Sequence, residues 1–325
     1  MTYTIGRHIS ELAGYAPALP TPFDAQGRVD SPAFEQLCAL QLGQGATALV
    51  ACGTTGEAPT LSTAEQTELV RIAVRAARGL VPVIAGAGSN STARAIELAR
   101  AAERAGADAI LSVVPYYSKP TQAGLHAHFS AIAQSSGLPI VLYDVPSRTA
   151  CGLADETVAR LAETQQFVGL KDATGDVARP ARLRPLVGPD FRLLSGDDAT
   201  ALAFFEKGGD GCISVTSNVA PGLCRKMYMA ARRHQPVKAL RLAQPLARLT
   251  AALFRESNPV PLKYALSLLG LMSPRVRLPL VEAAKENKAE LVAVLAQLAG
   301  THADDMVGTI AGNVVELDRR RAAAG

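Results

Sequence analysis

Short apolar runs alternate with Ala-rich amphipathic stretches from about residue 15 to residue 214, and this alternation constrains the fold more than any other feature. Such runs, bounded by turn residues, are typical of buried strands, and the stretches between them are typical of helices. We predict eight strands, at Tyr15–Leu19, Ala48–Ala51, Val81–Ala85, Ala109–Val113, Ile140–Tyr143, Phe167–Lys171, Phe191–Ser195 and Gly211–Ser214. Their ends follow one another at intervals of about 20 to 35 residues, as expected for repeated βα units. Eight such units close into a (β/α)₈ barrel.

The stretches between the strands carry helix signals. Four of the predicted helices illustrate the pattern, at Ser31–Leu42, Thr63–Ala77, Thr92–Ala105 and Thr121–Ser135, and the last three begin with a Thr suited to the N-cap. A doubly wound open sheet is the rival fold, but it requires a Gly-x-Gly-x-x-Gly turn after the first strand. Pro20-Thr21-Pro22-Phe23 stands there instead, which favours the barrel.

The chain divides by pattern into two segments. Residues 1–234 are predicted to form the catalytic (β/α)₈ barrel, and residues 235–325, which have helical but no strand periodicity, a helical C-terminal extension. The final twenty or so residues include the run Arg319-Arg320-Arg321 beside Ala-Ala-Ala-Gly, which is typical of a solvated tail.

Composition excludes several classes of protein. The 325 residues are 48% hydrophobic and 19% charged, and the net charge of +4 is not gathered into a basic, aromatic-rich patch, which argues against nucleic-acid binding. No apolar run is long enough for a membrane span, and the N-terminus lacks the features of a signal peptide. The five cysteines are an odd number without a Cys-x-x-Cys pair, which favours a reducing, cytoplasmic location over a disulfide framework.

Lys171 is the most informative single residue. It ends the apolar run Phe167-Val168-Gly169-Leu170 and is followed at once by a turn, so a strand carries an amine to its own tip. An amine that is desolvated in this way can lose its proton more readily and attack a carbonyl. A solvated lysine after a strand is the commoner explanation of any single such residue, so the case depends on its neighbours.

Polar side chains follow the other strands as well, and active sites of such barrels lie where the strands end. Gly53-Thr54-Thr55-Gly56-Glu57 offers hydroxyl and backbone N–H groups that could hold a carboxylate. Tyrosine phenols can move protons, and an arginine can bind a carboxylate through two hydrogen bonds. The remaining strand-end segments are Pro115-Tyr116-Tyr117-Ser118-Lys119-Pro120, Tyr143 to Thr149 with Arg148, Ser195-Gly196-Asp197-Asp198, and Ser214 to Asn218.

Two other kinds of site are disfavoured. Phosphate-binding barrels carry uncharged or basic loops after the seventh and eighth strands, whereas this chain has Asp197 and Asp198 there. A metal site would require converging ligands, but His126 and His128 face apart on a helix. The carboxylates that could in principle hold Mg²⁺ are explained as caps and turn residues, and we expect neither metal nor cofactor; they are Glu57, Asp144, Asp172 and Asp197.

The ordered set of motifs resembles the dihydrodipicolinate synthase / N-acetylneuraminate lyase family of class I aldolases. The resemblance extends from about Tyr15 to Leu280. Its motifs are Gly-Thr-Thr-Gly-Glu (53–57), Pro-Tyr-Tyr (115–117), Tyr143, Pro-Ser-Arg-Thr (146–149), Lys171, Ser-Gly-Asp-Asp (195–198) and Asn-Pro-Val-Pro-Leu-Lys (258–263). Asp144 and Asp172 depart from the commonest family pattern, which has Asn and Glu, respectively.

The resemblance implies roles for individual residues. Lys171 would form a Schiff base with pyruvate, whose carboxylate Thr54 and Thr55 would hold. Tyr143, Thr55 and Tyr117 would form a proton relay, with Tyr117 reaching across a subunit contact of a homotetramer arranged as a dimer of dimers. Gly196 and Ile213 would line the pyruvate pocket through backbone groups.

Arg148 bears on the second substrate. It matches the residue that receives the carboxylate of L-aspartate 4-semialdehyde, whereas lyases acting on sugar acids usually depart from the Pro-Ser-Arg-Thr pattern. The resemblance therefore implies condensation of pyruvate with this aldehyde to 4-hydroxy-tetrahydrodipicolinate, in lysine and diaminopimelate biosynthesis. Two alternatives remain open at this stage: another pyruvate-dependent aldolase or hydratase-aldolase with a different aldehyde, and a non-catalytic protein that binds a keto acid.

The resemblance also bears on regulation by lysine. Asn90 and Tyr116 match the effector site of lysine-regulated relatives. Gln66 stands where sensitive enzymes often have His, and Arg94 replaces the acidic residue that would receive the effector's ammonium group. A cation beside the effector's own cation is repulsive, so weak or absent inhibition is predicted.

Overall fold

Eight parallel strands form one sheet that closes on itself in this computed structural model, which describes Ile9 and residues 12–307. The strand order is β1-β8-β7-β6-β5-β4-β3-β2. Between the first and last strands of that order, Ala18 pairs with Val50, and the amide of Leu19 donates to the carbonyl of Val50 at 2.9 Å. The predicted (β/α)₈ barrel is confirmed.

The strands lie where the apolar runs placed them; β4 and β8 match at both ends, and the other ends differ by at most two residues. The ladder hydrogen bonds decide whether a residue at the end of a strand belongs to it, and the hydrophobicity of the sequence does not predict those bonds. The strands are β1 (Gly14–Pro17), β2 (Leu49–Ala51), β3 (Val83–Gly86), β4 (Ala109–Val113), β5 (Ile140–Asp144), β6 (Phe167–Asp172), β7 (Arg192–Ser195) and β8 (Gly211–Ser214).

Helices follow each strand and surround the barrel. They are α1 (Ser31–Gly43), α2 (Thr63–Ala77), α3 (Thr92–Ala105), α4 (Gln122–Ala133), α5 (Pro146–Thr149), α6 (Asp155–Ala162), α7 (Arg179–Val187), α8 (Ala201–Glu206) and α9 (Pro221–Arg232). Thr121 caps α4 as predicted, but the N-caps of α2 and α3 are Ser62 and Ser91, one residue before the predicted threonines. The seryl oxygen accepts from the third helical amide in each case, so the Thr is already the first helical residue.

The core has two layers separated by the sheet. Side chains alternate along each strand, so one set fills the barrel interior and the other packs under the helices. The interior set includes Val50, Ile84, Leu111, Leu194 and Ile213, all buried, and Tyr143 belongs to the same set. Tyr143 is therefore directed into the barrel near the strand ends.

The chain continues beyond the barrel in helices α10 (Pro236–Leu253), α11 (Val260–Leu268) and α12 (Lys285–His302). Helix α10 packs on α9 and on α12, and residues of this extension reach back to the β2 end of the barrel. That the barrel and the extension are separate domains stays a prediction, and the predicted tail with Arg319 to Arg321 lies outside the described residues. Among residues 12–307, no helix is long and apolar enough to cross a membrane.

Candidate active site

Lys171 lies at the end of β6 with its side chain almost entirely buried, at 6% exposure. Its Nζ sits 4.1 Å from the centre of the Tyr143 ring. The two residues are direct partners in the β5–β6 ladder, so backbone pairing sets their spacing. The predicted desolvated amine at a strand tip is thus present beside a phenol.

Gly196 makes room for the lysine side chain. The amide of Gly196, immediately after β7, donates to the carbonyl of Asp172 at 2.6 Å, which draws this backbone against β6. A Cβ at residue 196 would meet Lys171 Cε at 3.0 Å and Cγ at 3.1 Å. A side chain here would therefore displace the amine, which gives a physical reason for glycine. Ile213, on β8, is buried in the barrel interior.

Thr55 and Thr54 lie on the turn after β2, and a residue of the C-terminal extension hydrogen-bonds to Thr55. The Nδ2 of Asn258, in the loop before α11, donates to Thr55 Oγ1 at 3.0 Å, and both side chains are buried. Thr54 is half-buried. Because Thr55 Oγ1 accepts this bond, its own proton remains available to a third group.

The same turn is anchored by a second contact with the extension. Lys263 Nζ donates to Glu57 Oε1 at 2.7 Å, with both side chains fully buried, and the ammonium lies 4.1 Å from the centre of the Phe23 ring. Arg277 donates its backbone N–H to Glu57 and its guanidinium to Glu65. We call Glu57, Glu65, Lys263 and Arg277, packed around Phe23, the extension cluster. Burial lowers the pKa of Lys263 from 10.5 to about 8, against the opposing attraction of Glu57.

A second charged cluster lies on the outer face of the sheet, at the strand ends that carry Lys171 and Tyr143. Arg179, on α7, is 4% exposed and binds the carboxylates of three residues, Asp144, Asp155 and Asp172. We call these four residues the strand-tip cluster. Asp144 and Asp172 come immediately after Tyr143 and Lys171, respectively, and point to the other face of the sheet.

Arg148 and Tyr117 are both exposed in this chain. Arg148 is exposed on the short helix α5, and its guanidinium forms no ion pair or hydrogen bond with residues 12–307. Tyr117 is 90% exposed, with φ at +75°, a left-handed conformation that costs free energy for a residue with a side chain. The site therefore brings together Lys171, Tyr143 and Gly196, with Thr55 on the far side of the barrel end.

The carboxylates that were weighed as metal ligands are engaged with protein groups. Glu57 belongs to the extension cluster, while Asp144 and Asp172 share Arg179. Asp197 accepts from the amide of Ala199 and the hydroxyl of Thr200. No group of three or more His, Cys, Asp or Glu side chains suited to a metal ion occurs within residues 12–307.

The residues matched to a lysine effector site are distributed over α2 (Gln66), the loop before α3 (Asn90), α3 (Arg94) and the turn after β4 (Tyr116). Gln66 is buried, and its amide donates to the carbonyls of Ala58 and Leu61. Arg94 is partly exposed on α3 and pairs with Glu97 at 3.0 Å. That pairing offsets part of the positive charge of Arg94.

Sequence reasoning missed the residues that support the site. Asn258 and Lys263 lie in the motif Asn-Pro-Val-Pro-Leu-Lys, which carried the resemblance but had no assigned role, so a signal was present. Arg179 had none, because its three carboxylate partners lie on β5, α6 and β6 and meet only once β5 and β6 pair.

Comparison with known proteins agrees with this geometry. The family model described as "Dihydrodipicolinate synthetase family" matches residues 11–298. The 4-hydroxy-tetrahydrodipicolinate synthase of Methylobacterium radiotolerans is 49% identical over 279 residues, which cover 86% of this chain and 93% of the relative.

Solved structures of similar proteins superpose closely. The pyruvate complex of the chloride-inhibited dihydrodipicolinate synthase from Acinetobacter baumannii has a TM-score of 0.85 at 44% identity, covering 89% of this chain and 99% of that one. The enzyme from Cyanidioschyzon merolae with lysine bound has a TM-score of 0.86 at 39% identity, covering 89% and 98%, respectively. By fold, site geometry and sequence, this chain belongs to the dihydrodipicolinate synthetase family.

Proposed function

We propose that this chain is a lyase of lysine and diaminopimelate biosynthesis that condenses pyruvate with L-aspartate 4-semialdehyde through a Schiff base on Lys171. The observation that carries the proposal is the buried Lys171 amine, 4.1 Å from the Tyr143 ring and backed by Gly196. The family to which the chain belongs supports the identity of both substrates.

The chemistry starts from the amine. Lys171 Nζ adds to the C2 carbonyl of pyruvate, and loss of water leaves an iminium that withdraws electrons from the methyl group. Removal of a methyl proton gives an enamine, whose carbon bonds to the aldehyde carbon while the aldehyde oxygen takes up a proton. Cyclisation then gives 4-hydroxy-tetrahydrodipicolinate and frees the lysine. The iminium itself is the electron sink, so we expect no cofactor and no metal to be needed.

Hydroxyl groups near the lysine suit the proton transfers. We assign the relay to Tyr143, Thr55 and Tyr117, because each hydroxyl can both donate and accept a proton. Thr54 and Thr55 would hold the pyruvate carboxylate, and backbone groups of Gly196 and Ile213 would line its pocket. The bond from Asn258 to Thr55 supports this assignment, since it leaves the Thr55 proton free for the relay.

Arg148 is assigned to the carboxylate of the semialdehyde. Its exposure and its lack of a partner within residues 12–307 support this role, because a guanidinium already paired would have to be released first. Replacing Arg148 by Ala should slow use of the aldehyde by roughly a hundredfold, while imine formation with pyruvate changes little. Equal loss of both steps would show that Arg148 is structural.

Tyr117 supports an oligomeric enzyme, which we propose to be a homotetramer built as a dimer of dimers. Its ring is 90% exposed and its backbone strained, a combination that is unfavourable unless a second subunit covers the side chain. Diluting the enzyme to monomers, verified by sedimentation, should abolish turnover while the barrel stays folded. Full activity of a verified monomer would remove Tyr117 from the relay.

We further propose that the protein is cytoplasmic. All five cysteines are free, and four of them are buried, so they pack as small apolar groups. Free thiols are the rule in reducing compartments.

Lysine should inhibit this enzyme weakly or not at all. By the resemblance, Arg94 replaces the acidic residue that would receive an effector's ammonium group, although its pairing with Glu97 reduces the repulsion. Steady-state assays with millimolar L-lysine test this proposal. Half-complete inhibition below that range would show that Arg94 does not block the site.

The function itself is tested by the products of the purified protein. With pyruvate and L-aspartate 4-semialdehyde, 4-hydroxy-tetrahydrodipicolinate should form, and other aldehydes offered with pyruvate should react far more slowly. A faster reaction with an aldehyde that lacks the carboxylate would identify a different pyruvate-dependent aldolase. Binding of pyruvate without any turnover would identify a non-catalytic keto-acid-binding protein.

A further inference from the structure

The β5–β6 ladder contains two successive rungs that face opposite sides of the sheet. Tyr143 pairs with Lys171 on the rung that faces the barrel interior, and Asp144 pairs with Asp172 on the next rung, which faces outward. The backbone continues the arrangement, because the amide of Ala173 donates to the carbonyl of Asp144 at 2.8 Å. A displacement of the outer rung must therefore move the inner one.

The guanidinium of Arg179 binds both carboxylates of the outer rung. Arg179 Nη1 donates to Asp144 Oδ2 at 2.8 Å and to Asp172 Oδ2 at 3.3 Å, so a single nitrogen bridges the two strand ends. Its Nε binds Asp155 on α6, and its Nη2 donates to the carbonyl of Leu153 at 2.6 Å. The Arg179 side chain that makes all of these contacts is 4% exposed, so protein groups surround it and fix its position.

We propose that Arg179 is a positioning residue for catalysis: by joining Asp144 to Asp172 it sets the spacing of the Tyr143 phenol and the Lys171 amine. The inference rests on the proposed function, because it assigns Arg179 to imine formation and to the proton transfer after it. Arg179 faces away from the barrel interior and acts only through the two strands. Reacting groups must be held within a fraction of an ångström for full rate, and strand ends without a bridge lack this constraint.

Helix α7 provides its own control in Arg184. This second arginine donates to Asp210 at 2.7 Å and to the carbonyl of Phe191 at 2.8 Å, near the starts of β7 and β8. It therefore joins strands at the opposite end of the barrel, where contacts contribute to stability rather than to catalysis. Replacing Arg184 costs ion-pair and hydrogen-bond energy on the same helix without touching the rung beside Lys171.

The experiment compares Arg179→Met with Arg184→Met by two rates and one stability measurement. The rates are those of borohydride trapping of the imine with pyruvate, which reports Lys171, and of deuterium uptake into the pyruvate methyl group, which reports proton transfer. We expect both rates to fall roughly 10- to 100-fold in Arg179→Met and by less than about threefold in Arg184→Met. Thermal unfolding of both variants shows how far each loss of stability accounts for its loss of rate.

Conservative variants complete the test. Arg179→Lys keeps the charge but cannot bridge three carboxylates from one plane, so its rates should lie between those of the wild type and Arg179→Met. Arg179→Lys and Arg184→Lys also give the same comparison should Arg179→Met fail to fold. The proposal is overturned if the rates of the Arg179 variants stay within about threefold of those of the matched Arg184 variants. Absence of trapping in the wild type would instead refute the proposed function, which keeps the two failures apart.

Discussion

Two charge clusters, each with a buried ion pair at its centre, flank the candidate active site, and they are built differently. The extension cluster pairs Glu57 with Lys263 one to one, with no exposure of either side chain, and joins the β2 turn to the C-terminal helices. The strand-tip cluster sets three carboxylates against Arg179 and adjoins an open cleft lined by Asp144, Asp176 and Arg182 among others.

The difference separates two uses of buried charge. A balanced pair shielded from water contributes little net stability but makes the loss of either partner costly, so it specifies one arrangement of barrel and extension. The strand-tip cluster has more carboxylates than cations, so its charges do not cancel. Its role is to join the two strands that carry Tyr143 and Lys171. Changes in the first cluster should thus affect mainly stability, and changes in the second mainly rate.

The largest effect is expected from Lys263→Met. Removal of the ammonium leaves the Glu57 carboxylate buried and unpaired, which should lower the free energy of unfolding by about 3–5 kcal/mol. Glu57→Gln combined with Lys263→Met should recover part of this loss, because no lone charge remains. Denaturant unfolding measures both variants.

Lys288 offers a matched control in the same extension. Its ion pair with Glu282 is partly exposed, at 27% and 61%, so Lys288→Met should cost less than about 1 kcal/mol. Similar losses in Lys263→Met and Lys288→Met would remove the contrast between a buried and a surface pair.

A smaller effect, in rate as well as stability, is expected from Asn258→Ala. Loss of the hydrogen bond to Thr55 should cost about 1–2 kcal/mol of stability and lower kcat by roughly tenfold, because the Thr55 hydroxyl is no longer oriented. Asn287→Ala is the control, because Asn287 is a buried residue of α12 whose side-chain amide has no hydrogen-bond partner within residues 12–307. Unchanged kcat in Asn258→Ala would remove the extension from the proton relay.

The smallest effects concern pH, and the two clusters should respond with opposite sign. Arg277 lowers the pKa of Glu65 from 4.5 to about 2, so this carboxylate contributes stability that is lost as the pH falls through that interval. Burial raises the pKa of Asp144 above 3.8 and the neighbouring Asp172 carboxylate adds to the rise, against the opposing effect of Arg179. Its contribution is present below that pH and is lost as the pH rises through the folded-state pKa.

Two variants isolate these contributions. Glu65→Gln should weaken the loss of stability towards low pH by about 1 kcal/mol or less, because Glu65 is partly exposed. Asp144→Asn should weaken the loss of stability towards higher pH. Unfolding curves between about pH 2 and pH 7 measure both. Shifts of the same sign in the two variants would contradict the distinction between the clusters.

Local pattern and ordered motifs were enough to predict the barrel and the centre of the site. The apolar runs located the strands, and the rule that active sites lie at strand ends brought Lys171 and Tyr143 together. The N-caps of α2 and α3 were misplaced by one residue because Ser and Thr are both good caps and stand side by side at 62–63 and 91–92.

The supporting shell of the site could not be predicted in the same way. Asn258 lies 203 residues from Thr55, and Lys263 lies 206 residues from Glu57, so no local periodicity connects them. The motif at 258–263 marked these residues as part of the family resemblance but did not indicate what they contact. Arg179 joins side chains of β5, β6 and α6, which come together only through the pairing of β5 with β6.

The central claim, that the Lys171 amine forms the Schiff base, is tested most directly by trapping it. Borohydride reduction in the presence of pyruvate should leave a stable secondary amine, and mass spectrometry should locate the adduct on the peptide that contains Lys171. Lys171→Ala should give no adduct. An adduct on a different lysine, or one that still forms in Lys171→Ala, would contradict the account.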